Sequence, residues 1–543
     1  MNRPSAQRDR VDAQQPTIRF WLAVILGSGI LIRLIPALSR SLAPDEYLHV
    51  FAASGWLDAG RPVLPSGEVY DRAWVYTLMV RESFRMFGVS EWAARLPSLL
   101  AGVLTILLTF RIGRRWFSPA SALVAAALVA WSPFALVPTS YCRMYSWVQL
   151  LFLAAAYAGW RALESPRRAW AWGAAACATV AVLYHLQPIA ATAIPAVVVY
   201  AVGITAAAVA QGRVQALWRS RDGLVCLAAA VAGIGLVTIG RSQLAWVWHE
   251  ARFLPPWAVE GMADDLGFYK DLWQRTYPVL WRLWPAAVVW LLLQRGRLGW
   301  WLACWFAVPL LIHSVLFAAK QERFIYHLLP IFALTVSPLA VELVTRIGRW
   351  FMGVVQEAAS ALRAPAWRRA AVAAGSLALL PALYLFASPW ASQTVRMAAG
   401  RLRLPVEYLD VPWRAALTTL TAQMAPGDIL ITTEPLAAAH YRAQPADYVI
   451  NNHLLPTDGV TASDQSPAAW PHDWYSGQPL VSRVEELDQV MKRSPRGWVV
   501  ADRARFFSPL VVPVELREAI IARTGEVPLP GITDMVCRRW VSE

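Results

Sequence analysis

Two adjacent carboxylates, in Pro44-Asp45-Glu46, directly follow the first long apolar run of the chain. Acids at a lipid–water boundary are costly unless hydrated, paired or functional, and partial burial would raise at least one of them toward the range of a general base. Asp45 and Glu46 are therefore the candidate catalytic pair. Four other stretches carry charges and rings. Asp71-Arg72-Ala73-Trp74-Val75-Tyr76 offers a planar donor fork for phosphate, beside rings that stack on a sugar or pack on lipid. Tyr141-Cys142-Arg143-Met144-Tyr145, Tyr184-His185-Leu186-Gln187 and Lys320-Gln321-Glu322-Arg323, the last running on into Phe324-Ile325-Tyr326-His327, complete the set. From these, Asp71, Arg72, Tyr76, Arg143, Tyr145, His185, Lys320, Glu322 and Arg323 are the candidate donor-binding residues. Each stretch also has an ordinary alternative: an acidic loop start, an interfacial helix with a snorkelling arginine, or a hydrogen-bonded structural histidine.

The elements that must position these residues are membrane helices. Of 543 residues, 57% are hydrophobic and 16% charged, and mean hydropathy is +0.40. Soluble domains run at about 45–50% apolar and about 25% charged. Apolar runs lie near 19–39, 95–111, 119–138, 145–162, 169–186, 188–210, 222–240, 278–293, 299–318, 324–343 and 370–389, which predicts about eleven transmembrane helices. The first run follows Arg3, Arg8 and Arg10 but is too long for a cleaved leader and lacks a small-x-small site, so it reads as an uncleaved anchor. The five cysteines show no CxxC or metal spacing, and no structural disulfide is expected.

Net charge is +14, and its placement decides what it means. With a cytoplasmic amino terminus, the inside segments hold twenty arginines against five acids, and the two long outside loops, 41–95 and 241–277, hold nine basic residues against twelve acids. That is the positive-inside asymmetry. The excess positive charge belongs to cytoplasmic loops and gives no reason to expect nucleic-acid binding. Residues 46–59 and 74–87 are amphipathic and predict helices along the membrane surface. The second loop, rich in Trp246, Trp248, Phe253, Pro255, Pro256, Trp257, Phe268, Tyr269 and Trp273, predicts an interface-embedded lid or groove. An odd number of spans puts the tail outside. Residues 1–390 then form the transmembrane catalytic domain and 391–543 a soluble α/β domain, with strands near 428–432, 448–450 and 498–501 and a helix over 435–442.

This topology brings all five stretches to one membrane face. Clustered carboxylates, cations and aromatics there suit an amphiphile whose phosphate sits at headgroup height. A polyprenyl phosphate leaves as a stable anion, so transfer of a sugar from it needs a base for the acceptor hydroxyl and cations for the phosphate. It needs no separate general acid, unlike glycoside hydrolysis. In-line attack inverts the anomeric carbon. No Gly-rich phosphate loop of the nucleotide-binding kind is present.

The residues resemble the GT-C glycosyltransferases that use polyprenyl-phosphate sugars, in the branch of protein O-mannosyltransferases and lipid A aminoarabinose transferases (glycosyltransferase family 39-like). The stretch Phe87 to Phe117, FGVSEWAARLPSLLAGVLTILLTFRIGRRWF, is the most specific; Pro44-Asp45-Glu46, Arg143-Met144-Tyr145-Ser146, Tyr184-His185 and Glu322-Arg323-Phe324 with Pro330 extend it over about the first 340 residues. The resemblance implies a GT-C membrane fold with a periplasmic active site and Asp45 as base. The acid-Lys-Pro-Pro run of the aminoarabinose transferases is replaced here by Asp71-Arg72-Ala73-Trp74.

The expectation is an inverting glycosyltransferase of the bacterial inner membrane, N-terminus cytoplasmic and tail periplasmic. It would move a sugar from undecaprenyl phosphate to a lipid, glycan or protein acceptor. The alternatives are a flippase for lipid-linked sugars and a non-catalytic envelope scaffold. No cofactor is assigned; a divalent cation on Asp45, Glu46, His49 and His185 stays open, without regular ligand spacing to support it.

Overall fold

Prolines open several of the helices, where a missing N–H costs nothing. Ser118-Pro119 and Ser132-Pro133 each pair a capping hydroxyl with a proline at the first helical position, and Gly60, at φ 72, closes another helix in the left-handed region that glycine tolerates. The computed structural model describes residues 5–165, 167–220, 222–223, 226, 248–249, 251–253, 262–361, 389–398, 411–451 and 470–541. The helices are α1 (Ser5–Ser39), α2 (Pro44–Ala59), α3 (Trp74–Phe87), α4 (Glu91–Trp116), α5 (Pro119–Trp131), α6 (Pro133–Thr139), α7 (Tyr145–Glu164), α8 (Ala169–Leu186), α9 (Ala193–Ala210), α10 (Val214–Trp218), α11 (Phe268–Thr276), α12 (Pro278–Arg295), α13 (Arg297–Val315) and α14 (Leu329–Ala361). After them come α15 (Pro389–Ala398), α16 (Trp413–Thr421), α17 (Pro435–Tyr441), α18 (Val484–Arg493), α19 (Arg503–Phe507) and α20 (Val514–Arg523).

Among the described residues, six helices are long and apolar enough to cross a membrane, or eight if α5–α6 and α11–α12, bent by 54° and 109°, are each one span. The chain is a multi-pass membrane protein. The expected spans near 222–240 and 370–389 lie largely outside the described residues; each of the other nine falls on a helix, the run at 145–162 on α7. Of the second expected outside loop, 241–247, 250 and 254–261 lie outside the described residues, while its end forms α11, with Tyr269 and Trp273 buried. The five cysteines are free.

The break between α5 and α6 leaves carbonyls without partners, because Pro133 has no N–H for Val129 and the Phe134 N–H turns to the Ser132 hydroxyl at 3.1 Å. Arg33, buried on α1, fills the gap: Nη1 donates to the Ala130 carbonyl at 2.5 Å and to Gly29 at 2.8 Å, and Nη2 to Val129 at 3.0 Å. An arginine inside a span is here a clip between helices. Gly102 on α4 permits the close crossing with α6, since a Cβ there would lie 2.2 Å from the Thr139 methyl.

A second buried arginine fixes the corner from which α2 departs. Arg95, 1% exposed, spends all five N–H donors: Nε and Nη2 on the two Glu46 oxygens at 2.8 Å each, Nη1 on the carbonyls of Ala37 (2.8 Å) and Arg40 (3.0 Å), and Nη2 again on Ser41 (2.9 Å). Glu46 also accepts from the backbone N–H of Ala43 at 2.8 Å and of Cys142 at 2.6 Å. One ion pair thus ties together the end of α1, the start of α2, α4 and the segment between α6 and α7.

The carboxy-terminal part is an α/β unit around β1 (Ile429–Thr432), β2 (Tyr448–Val449), β3 (Arg496–Asp502), β4 (Gly525–Glu526) and β5 (Met535–Val541), in sheet order β2-β1-β3-β5-β4. β2, β1 and β3 run parallel; β5 is antiparallel to β3, and β4 is antiparallel to β5. Alternation along β3 splits the faces: Trp498 and Val500 join the core continuous with the membrane helices, and Val499 and Ala501 pack under α18 and α20 with Leu487 and Ile520. The expected surface helices form as α2 and α3, yet α2 is largely buried, with α17 against it; Tyr47 meets the rings of His440 and Tyr441. Tyr441 donates to Glu91 at 2.8 Å and accepts from the Leu42 N–H at 2.8 Å, while Arg414 Nε reaches Glu91 at 3.1 Å.

Two stability measurements follow, both by thermal unfolding in lipid nanodiscs. Arg33→Met strands two buried carbonyls and is expected to cost roughly 2–4 kcal/mol; an unchanged transition would show that Arg33 does not clip α5. Glu46→Gln breaks one side of a buried pair and is expected to cost about 3–5 kcal/mol, whereas replacing the exposed Asp71 should leave the transition in place.

Candidate active site

Pro44 starts α2, and the Arg95 clamp sets its direction. Asp45, one residue on, turns away from Glu46 with its side chain 28% exposed. Its Oδ2 accepts from Arg323 Nη1 at 2.5 Å and from the Tyr141 hydroxyl at 3.3 Å, with Arg143 Nη2 at 3.9 Å. Arg143 also donates to the Asp45 carbonyl at 3.3 Å and to the Tyr70 hydroxyl at 3.2 Å. Burial by itself would raise the Asp45 carboxyl, but Arg143, and Arg323 after it, overturn this and hold it well below the usual carboxylate range.

Arg143 is itself placed from behind. The Tyr76 hydroxyl hydrogen-bonds Ser98 at 2.7 Å, and Ser98 donates to the Arg143 carbonyl at 3.0 Å. Arg143 Nε is buried and has no partner among the described residues, an N–H available to an anion. The Arg323 guanidinium lies 5.7 Å from the Tyr145 ring centroid and shares the Gln321 side chain through Nε.

The five stretches read from the sequence do not all converge. Asp45, Arg143, Tyr145 and Arg323 come together. Tyr76 stands behind them as a support. Asp71 and Arg72 are exposed at the entry to α3, where Ala73 at φ 52 takes a left-handed turn that side chains rarely adopt. Lys320 is 2% exposed and directs its Nζ to the carbonyls of His313 (3.1 Å), Ser314 (2.7 Å) and Phe317 (2.5 Å), capping the end of α13. Glu322 is pushed up to about 7 by burial and accepts from the Tyr326 hydroxyl at 3.4 Å. His185 is exposed at the end of α8, with its ring contact to Tyr184. His49 is buried, Nδ1 on Thr77 at 2.9 Å. No group of three His, Cys, Asp or Glu that could hold a metal occurs among the described residues.

Sequence reasoning missed two contributions. Arg95 stands at the start of a span on the side where basic residues are expected to be scarce, the same signal that singled out Arg143. The carboxy-terminal unit supplies the rest: Glu434, Asn451, Asp473, Tyr475 and Arg505 face Asp45 across a cavity of about 150 Å³. No short-range pattern links these positions to Asp45.

The family described as dolichyl-phosphate-mannose-protein mannosyltransferase matches residues 71–234. The fold is similar to that of ArnT from Cupriavidus metallidurans in the apo state (15% identity, TM-score 0.56, covering 96% of this chain and 98% of that one) and bound to undecaprenyl phosphate (15%, TM-score 0.55, with the same coverage). It is also similar to the oligosaccharyltransferase AglB from Archaeoglobus fulgidus in complex with an inhibitory peptide and a dolichol-phosphate (13%, TM-score 0.55, 94% of this chain and 73% of that one). No curated protein sequence matches the chain. Residues 71–234 thus match a family of polyprenyl-phosphate-dependent glycosyltransferases, and the chain as a whole shares the fold of ArnT and AglB.

Proposed function

We propose that the chain transfers a sugar from a polyprenyl phosphate, undecaprenyl phosphate in a bacterial inner membrane, to a hydroxyl of a lipid, glycan or protein acceptor. The amino terminus is cytoplasmic in this reading, and the site and carboxy-terminal domain are periplasmic. The observation that carries it is a partly exposed carboxylate held between two guanidiniums, one of which keeps a buried N–H without a partner among the described residues. The solved relatives with undecaprenyl phosphate and dolichol-phosphate support the donor class.

In this mechanism the acceptor oxygen forms a bond to the anomeric carbon while the carbon–oxygen bond to phosphate breaks. The bonding pair leaves on the phosphate, and the hydroxyl proton passes to Asp45. Arg143 and Arg323 serve two states. In the free protein they suppress the basicity of Asp45; when a phosphate arrives they turn to it, and burial then favours protonation of the released carboxylate. Tyr145 supports the Arg323 guanidinium, and Arg72 and Asp71 sit at the rim. Glu46 positions Asp45, Lys320 braces the segment carrying Glu322 and Arg323, and His185 stands apart from this cluster.

Asp45→Asn is expected to lower transfer in a reconstituted membrane assay by roughly 10²–10⁴-fold while tightening binding of undecaprenyl phosphate, since the two arginines lose their competing carboxylate. Unchanged turnover would remove Asp45 from the chemistry. The folded pKa of Asp45 is depressed, so its pairing stabilises the fold above the unfolded value near about 3.9 and is lost as pH falls through the folded value. The difference in melting temperature between parent and Asp45→Asn should therefore be constant from neutral pH down to about pH 5 and shrink only in stronger acid.

A further inference from the structure

The cavity over Asp45 is lined by three carboxylates and one guanidinium. On the membrane side stand Pro44, Asp45 and Leu48, with Arg143 and Arg323 holding Asp45 from outside the lining. On the other side stand residues of the carboxy-terminal unit, delivered by separate elements: Glu434 precedes α17, Asp473 lies in the turn before Tyr475, and Arg505 is on α19. Arg505 is committed within its own wall, with Nη1 2.7 Å from Glu434 and Nε 3.6 Å from Asp502. Asp473 is 1% exposed, and its Oδ2 accepts from the Ser476 N–H at 2.8 Å and hydroxyl at 2.5 Å. Arg505 thus serves two carboxylates, Glu434 and Asp502, while Asp473 is held by Ser476 beside them. Burial raises Glu434 to about 7, against the pull of Arg505, and shifts Asp473 and Asp502 upward as well. That is the response of acids crowded together out of water, and an incoming anion would add to the crowding.

The size of the space narrows the occupant further. At about 150 Å³ it is roughly half the lower end of the range for whole small-molecule sites, about 300 Å³. It admits the reacting end of a molecule and excludes a lipid body. Its carboxylates, the Asn451 amide, the Thr433 hydroxyl and the Tyr475 ring form a lining suited to hydroxyl groups on a ring.

We propose that this cavity is the acceptor subsite, that it takes a neutral hydroxyl-bearing group such as a sugar ring or polyol, and that it turns phosphorylated groups away. The inference rests on the transferase reading above and deepens it: Arg143 and Arg323, beside Asp45 and outside this cavity, receive the donor phosphate, and the acid-lined cavity presents the acceptor hydroxyl to Asp45.

The test uses the full chain in lipid nanodiscs with undecaprenyl phosphate present, so that the arginines beside Asp45 are occupied, reading saturation-transfer NMR for methyl glucoside and for glucose 6-phosphate. Methyl glucoside is expected to give a signal that weakens about tenfold in Glu434→Gln and in Asp473→Asn, the effect of losing one charge-assisted hydrogen bond. Glucose 6-phosphate is expected to bind the parent at least tenfold more weakly than methyl glucoside. Glucose 6-phosphate binding as well as methyl glucoside would overturn the proposal, as would full methyl glucoside binding by both variants when thermal unfolding shows them folded. The comparison of the two probes needs only the parent protein and decides the matter even where a variant is unstable. Binding of undecaprenyl phosphate to the parent is measured separately; its absence would sink the donor assignment, whatever the acceptor probes show.

Discussion

The buried pair of Arg95 and Glu46 is the constraint on which the site depends. A guanidinium and a carboxylate removed from water are tolerated only when their hydrogen-bonding capacity is used, because the desolvation cost of each is several kcal/mol. Here all five donors of Arg95 are spent, two on Glu46 and three on carbonyls at the end of α1. The carboxylate closes the arrangement with the N–H groups of Ala43 and Cys142. The end of α1, the start of α2, one turn of α4 and the segment leading to Arg143 must therefore keep a single relative geometry, and the direction of Asp45 is fixed by it.

Around Asp45 the electrostatics follow from that placement. Adjacent carboxylates emerge with different environments, one enclosed by hydrogen bonds and one held between arginines at the edge of a cavity. The second cannot be a strong base while both arginines hold it. In the proposed mechanism, phosphate binding would change this by competing for the same donors, so that the proton acceptor becomes effective when the leaving group is in place.

The carboxy-terminal unit is part of the same construction. Its sheet shares one core with the membrane helices through Leu430, Trp498 and Val500, and Arg414 and Tyr441 converge on Glu91 one turn before Arg95. The element that anchors the corner under Asp45 therefore also anchors the domain above it. This arrangement gives the cavity walls that do not drift independently.

Much of this was legible in the chain itself. Apolar periods located nine helices that the structure contains, because a long run of apolar side chains has few stable solutions other than a buried or membrane helix. Of the five strands of the carboxy-terminal unit, β1, β2 and β3 were legible as short apolar runs, and β4 and β5 were not. Asp45, Arg143 and Arg323 stood out because charge at the end of an apolar run is costly and a topology argument put them on one face. Only the tertiary structure separated Asp45 from Glu46, turned Lys320 onto carbonyls, left His185 exposed at the end of α8 and brought Glu434, Asp473 and Arg505 over Asp45. Lys320 meets carbonyls only three to seven residues away, but Glu46 with Arg95 and Asp45 with Arg323 meet across 49 and 278 residues of chain, a matter of packing that no local pattern records.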